Sequence, residues 1–298
     1  MEFVLSYKHM YTGEKEMLLM SHQKDKKTWL KWTITYVIFL VCVFGFYYIS
    51  QNKYDFKKQY FQLVDIEDLH DRSYISNLYS QSDLITRLEG FAQELKNNNN
   101  FIFIEFSPVG IEFIGKWNKP TGLAENPTSI DQTTKINDTE VFVTSVEGLM
   151  LDQISLDLYS LDVSDGELFS DEDFVQTDNK LPLLLGSDFK DYYSIGDTIP
   201  LLHYGEEWIG VIKGFLKEDE QITQDTMIYH LDNYVLVPSF ESTTLIPGFD
   251  DNYQKQMHHS KIQGYVILNN KEEYSKAKKE IKALSKKYNL SYQLLRGY

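Results

Sequence analysis

The chain has 298 residues, a formal net charge of −15 and a single cysteine, Cys42. Residues 1–50 hold six Lys and four acids, a balance of +2, which leaves −17 for residues 51–298. So acidic a segment excludes nucleic acid and close adhesion to anionic lipid as partners, and without cysteine it can have neither disulfide staples nor thiolate metal sites. At about 250 residues it buries enough surface to fold without them.

The run from Trp32 to Ile49, WTITYVIFLVCVFGFYYI, carries no charge. Eighteen residues rising 1.5 Å each cover about 27 Å, close to the hydrocarbon thickness of a bilayer. A core helix of a soluble domain would show polar residues every third or fourth position, and this run does not. The pattern predicts a cytoplasmic tail over 1–28 and a transmembrane helix over 29–50. Lys24, Lys26, Lys27 and Lys31 precede the run with only Asp25 opposing them, which places the tail in the cytoplasm and residues 51–298 outside the cell membrane. Trp29, Trp32, Tyr47 and Tyr48 mark the two boundaries. Tyr47 to Gln51 offers no small-x-small cleavage site, so the segment reads as an uncleaved anchor in the lipid bilayer. Arg occurs only at 72, 87 and 296, and the abundance of Lys, Asn and Tyr points to an AT-rich genome. An exported domain without disulfides suits a Gram-positive bacterium.

Beyond the anchor, Lys57 to Ile66 reads as a strand. Leu84, Leu88, Phe91 and Leu95 recur at helical spacing and predict a helix over about 83–97 with Asp83 as N-cap. Phe101 to Phe106, FIFIEF, is a strand, and Gly110 to Ile114 is its continuation or hairpin partner. Residues 116–140, rich in Pro, Gly, Thr and Asn, read as a hinge or surface loop. Short strand-like runs follow at Val141–Val146, Ile154–Leu158, Leu181–Leu185, Trp208–Leu216 and Tyr234–Val237. At the far end Gly264 to Leu268 is a strand, and Asn269-Asn270 is a turn or helix cap. Tyr274, Ala277, Ile281, Leu284 and Tyr288 then mark one face of a helix, and Leu290 to Leu295 is a closing strand. The expected fold is α+β: a lobe of residues 51–130 plus 240–298, with a mostly-β lobe of residues 131–239 inserted into it.

Four segments carry a family resemblance: LDVSDGELFSDEDF (161–174), LPLLLGSDF (181–189), YSIGDTI (193–199) and WIGVIKGF (208–215). Together with the later strand Leu231–Pro238, the terminal strand–helix–strand unit and the span placed just before the domain, they resemble the extracytoplasmic core domain of MacB/FtsX-type ABC transporter permeases. In that family an apolar strand ends in "LG", a helix carrying "vGDtI" follows, and a strand like "f.VvGv" comes next. The resemblance implies a membrane component of an ABC system whose outer domain transmits or receives ATP-driven conformational change. It also implies a separate ATPase subunit and a homologous or split-gene permease chain as partners. Family permeases continue into three more membrane helices, so what stands here corresponds to the first span plus the outer domain. A membrane-anchored module that captures a peptide or envelope partner is the alternative.

Physically these motifs are scaffold. Gly196-Asp197 is a tight turn, Gly186 ends a buried strand, and the acids of SDEDF begin a helix. The sequence offers no catalytic, cofactor-binding or metal-binding residue. It has no G-x-x-x-x-G-K-[ST], no H-E-x-x-H and no G-x-S-x-G. His258-His259, with His203 and His230 as remote companions, is read as a solvated pair in a polar loop. The acids Asp157, Asp162, Asp165, Glu167, Asp171, Glu172 and Asp173 miss EF-hand spacing and read as a solvated face. Ser187 beside Asp188 has no His base.

Overall fold

The computed structural model describes residues 59–70, 73–176, 178–224, 227–241, 249–269 and 273–296. The tail and the span expected over 29–50 lie outside the described residues, among which no helix is long and apolar enough to cross a membrane. The elements in chain order are β1 (Gln59–Asp65), α1 (Ile66–His70), α2 (Tyr74–Tyr79), α3 (Leu84–Lys96), β2 (Ile102–Pro108), β3 (Ile111–Ile114), β4 (Gln132–Ile136), β5 (Thr139–Leu151), α4 (Gln153–Tyr159) and β6 (Val163–Gly166). They continue with β7 (Lys180–Leu185), β8 (Thr198–His203), β9 (Glu206–Leu216), β10 (Gln221–Gln224), β11 (Met227–His230), β12 (Tyr234–Pro238), α5 (Asp251–Ser260), β13 (Gly264–Leu268), α6 (Glu273–Lys287) and β14 (Tyr292–Arg296). The protein is α+β and rich in sheet.

Strands from both ends of the chain share one antiparallel array in the order β14–β1–β13–β2. The two helices legible in the sequence, α3 and α6, supply its apolar cover. Leu84, Leu88, Phe91 and Leu95 of α3 are fully buried, as are Ala277 and Ile281 of α6, and they pack with Phe61, Phe103, Val266 and Leu294. Each large side chain so buried contributes roughly 1.5–3 kcal/mol before entropy is counted. Asp83 does sit at the start of α3, but its carboxylate caps no backbone N–H and pairs instead with Arg87 at 3.4 Å.

The thirteen-residue β5 joins this array to the rest of the molecule. Both β2 and β3 pair antiparallel with it, Phe106 opposite Leu151 and Ile111 opposite Val146, so β3 continues the path of β2 and is not its hairpin partner. From β5 the pairing runs through β3, β8, β9, β7 and β12 and returns to β5, which closes six strands into a barrel. The β12–β5 and β7–β9 contacts are parallel and the others antiparallel. One residue in two fills the interior: Ile111 and Phe113, Leu181, Leu183 and Leu185, Trp208 and Ile212, Val235 and Val237. Tyr253 and Met257 of α5 belong to the same cluster. Leu149, Leu151, Leu184 and Leu236 face the other way and pack with Leu156 of α4 and Ile222 of the β10–β11 hairpin.

Several sequence expectations need correction. Ile154–Leu158 is not a strand but part of α4. Its alternating pattern is overridden by Asp152, whose carboxylate accepts the Ser155 N–H at 2.8 Å as an N-cap, while Ile154 is left 44% exposed. Residues 116–140 are not a free loop. Leu123 is buried in the barrel core, and β4 pairs with β5 through a turn in which Asn137 and Asp138 have φ of 46° and 63°. The acids of SDEDF start only a 3-10 turn, Asp171–Phe174, closed by a Ser170–Asp173 capping box. No α-helix precedes Gly196, where the resemblance implies one. Gly196 itself has φ +83° in a tight turn, and the Asp197 carboxylate accepts the Ser194 N–H at 2.8 Å, as the sequence predicts. Gly186 does end β7, and only glycine fits, because a Cβ there would lie 2.1 Å from the Leu231 carbonyl oxygen.

Candidate functional site

Glu105 occupies the position where β2 changes partners. It stands opposite Gly264 of β13, and the next residue, Phe106, stands opposite Leu151 of β5. At Gly264 a Cβ would fall 2.0 Å from the Ile104 carbonyl oxygen, so the two strands can meet this closely only because that residue is glycine. The Glu105 side chain is completely buried, and groups from four other segments converge on the residue. Lys96, at the end of α3, places its Nζ 2.5 Å from Oε1. Ser239, just after β12, donates its hydroxyl to Oε2. The Glu105 backbone N–H donates to Asp152 Oδ2 at 3.1 Å, and its carbonyl accepts the Ser155 hydroxyl at 2.8 Å. Lys261, following α5, is also buried and donates to the Phe240 carbonyl.

The electrostatics of this knot follow from burial. Asp152 is pushed up to about 6, first by desolvation and then by the neighbouring Glu105 carboxylate. Desolvation opposes the charge on Lys96, but Coulomb attraction and hydrogen bonding to Glu105 outweigh it and hold the ammonium above its ordinary value. Lys261 is shifted down by burial, with Glu105 resisting. Such a buried pair adds little net stability over apolar residues of equal volume, because desolvation consumes the Coulomb gain. What it does impose is geometry: five segments must arrive in register or leave a charge unpaired. Beside it lies a cavity of about 170 Å³, lined among others by Glu89, Glu241, His258 and Lys261.

The structure scatters the residues weighed as sites in the sequence. His258 and His259 are not in a polar loop; both are buried in the last turn of α5. His259 is held between the Tyr79 hydroxyl at 2.9 Å and the Tyr292 hydroxyl at 2.6 Å, and His258 lies 3.7 Å from Glu89. Burial, then the charge on Lys261, pushes His258 down to about 4. His203 is buried inside the barrel against Tyr253 and is driven down to about 3 by desolvation, while His230 is an exposed hairpin residue. Ser187 donates to Asp232 at 2.7 Å. The acidic run is met by lysines: Asp162 by Lys217 at 2.6 Å and Asp173 by Lys213 at 3.1 Å. Among the described residues no three His, Cys, Asp or Glu side chains assemble as a metal site. Sequence reasoning missed the Glu105 knot. Its signal was an acid within the otherwise apolar FIFIEF and another, Asp152, directly after GLML.

No family model matches the chain, and none of the curated proteins compared matches it. Several solved structures match, among them two transporter domains. The extracellular domain of the noncanonic ABC-type transporter YknZ from Gram-positive bacteria is 13% identical, with a TM-score of 0.39 over 80% of this chain and 100% of that one. The periplasmic region of MacB from Actinobacillus actinomycetemcomitans is 13% identical, with a TM-score of 0.41 over 80% of this chain and 88% of that one.

Proposed function

We propose that the protein is a non-catalytic membrane component of a MacB/FtsX-like ABC transporter system, whose outer domain passes on conformational change driven by a separate ATPase subunit. One observation carries the reading. β1, the first strand after the apolar run, lies in mid-array between β13 and β14, and the Phe61–Arg296 pairing sets the start of β1 beside the end of β14. A displacement applied at the start of β1 is therefore delivered as shear to two neighbours at once. From β13 it passes to β2, and through the Glu105 crossing to β5 and the barrel. These 298 residues hold one long apolar run and no P-loop, so the reading assigns the drive to a separate ATPase subunit and the membrane path to an assembly with further permease helices.

The test is mechanical. A flexible Gly-Ser segment inserted between residues 50 and 59 leaves every strand pairing intact but breaks the connection. Affinity capture from native membrane should recover an ATPase subunit with both forms, and only the unmodified form should modulate its hydrolysis rate. If the protein purifies alone under mild detergent, or the insertion has no effect, the transporter reading is wrong. The anchored binding module then takes its place.

A further inference from the structure

The acidic charge of the outer residues is not spread evenly. Helix α6, Glu273–Lys287, holds six lysines against Glu273 and Glu280, a balance of +4, which leaves −21 for the rest of residues 51–298. Its buried line, Ala277, Ile281 and Ser285, is turned into the core, and Tyr274 and Leu284 pack against the same core. At 3.6 residues per turn the remaining positions fall on two flanks. One flank faces α3: Lys287 pairs with Glu94, Lys276 donates to the Asn100 side chain, and Glu280 accepts from Asn98 at 2.9 Å and from Asn100 at 3.1 Å. The other carries Lys278, Lys282 and Lys286, one above the next at i, i+4 and i+8, with Lys279 beside them. All four lysines are exposed. Lys278 rests over the Tyr274 ring at 5.7 Å, and the ion pairs among the described residues include none of the four.

We propose that this flank of α6 docks a short acidic segment of a partner protein, its carboxylates meeting Lys278, Lys282 and Lys286. Like charges at i, i+4 destabilise a helix, so the row holds a repulsion that incoming carboxylates relieve. The extent of the row selects the partner. From Lys278 to Lys286 it rises about 12 Å, little more than the Debye length of about 8–10 Å. A bilayer of anionic headgroups or a long phosphate polymer reaches past the row and is carried over the acidic remainder of the surface, which repels it. A segment two or three turns long meets the lysines alone. Nor does α6 have an apolar face left for insertion into lipid, since that face is in the core. The partner's acids are held by exposed ammonium groups, so the contact is reversible and weakens as salt rises.

The inference is independent of the transporter reading. The full chain in a maltoside detergent would be titrated into a fluorescein-labelled octaglutamate peptide and followed by anisotropy, at low ionic strength and again at about 0.15 M salt. Saturable binding in about the millimolar range or tighter is expected at low salt, weakening several-fold at the higher. Two double variants remove the same charge from opposite flanks. Lys282→Gln with Lys286→Gln should weaken binding about fivefold, and Lys276→Gln with Lys287→Gln less than about twofold. All four positions are exposed, so neither variant disturbs the core. Absence of saturable binding, or equal weakening by the two variants, overturns the proposal. So does displacement of the peptide by long-chain polyphosphate, or by micelles doped with phosphatidylglycerol, at a lower concentration of negative charge than unlabelled octaglutamate requires; the flank would then belong to phosphate polymer or to lipid.

Discussion

Replacing Glu105 by Leu removes the counter-charge from a site whose other members cannot all reach water. Lys96 is about a third exposed and can turn outward, but Lys261 is only 8% exposed and keeps its ammonium in a low-dielectric setting. Breaking one side of a buried pair costs about 3–5 kcal/mol, and the partial escape of Lys96 puts Glu105→Leu near 3. Lys96→Met leaves a wholly buried carboxylate with one hydroxyl donor and a neighbouring ammonium, also about 3 kcal/mol. The double variant replaces the pair by apolar groups of similar volume, so it should cost well below the sum of about 6, with a coupling of about 2–3 kcal/mol. Guanidinium unfolding of the full chain in detergent, followed by the fluorescence of Trp208 buried in the barrel, measures all four corners of the cycle. Additivity within about 0.5 kcal/mol, or a cost below about 1 for Glu105→Leu alone, would refute the reasoning.

Acid should destabilise the fold. His258 and His203, lowered by burial from 6.5 to about 4 and about 3, contribute stability that is present above pH 6.5 and lost as pH falls toward the folded values, because the unfolded chain takes up protons first. Asp152, raised to about 6, acts oppositely between pH 6 and its ordinary value of 3.8. At pH 5 the loss at the two histidines exceeds the return at Asp152, a net loss on the order of 2–3 kcal/mol. A melting temperature that holds or rises from pH 7 to pH 5 would contradict this. Gly186→Ala should destabilise by more than about 3 kcal/mol, since the new Cβ meets backbone oxygens that cannot turn away, and denaturant midpoints will show it. With Cys42→Ser in the background, Ser73→Cys should react with an impermeant thiol reagent on intact cells; reaction only after lysis would reverse the orientation.

Local pattern made α3, α6, β1, β9 and β14 legible, because each buries one face at the period of its own backbone and carries that period in its residues, and β7, β12 and β13 legible as short apolar runs buried on both faces. The tight turn at Gly196-Asp197 and the end of β7 at Gly186 were legible for a similar reason: a residue type was demanded by local geometry. Ile154–Leu158 misled because a five-residue alternation fits both periods, and the Asp152 cap decided for helix. His258 and His259 sit among polar neighbours in the chain, yet Tyr79 and Tyr292, more than thirty residues away in sequence, hold His259, and Glu89 lies against His258. Barrel closure was not legible either, since the parallel return of β12 to β5 joins Tyr234 to Glu147 across a stretch that no local period spans. The same holds for the acid in FIFIEF. The chain shows that Glu105 is out of place in an apolar strand, but Lys96, Asp152, Ser239 and Lys261 become its neighbours only when β2 passes from one set of strands to the other. Periodicity is written in neighbouring residues and survives without the fold; charge compensation is an agreement between distant ones and exists only within it.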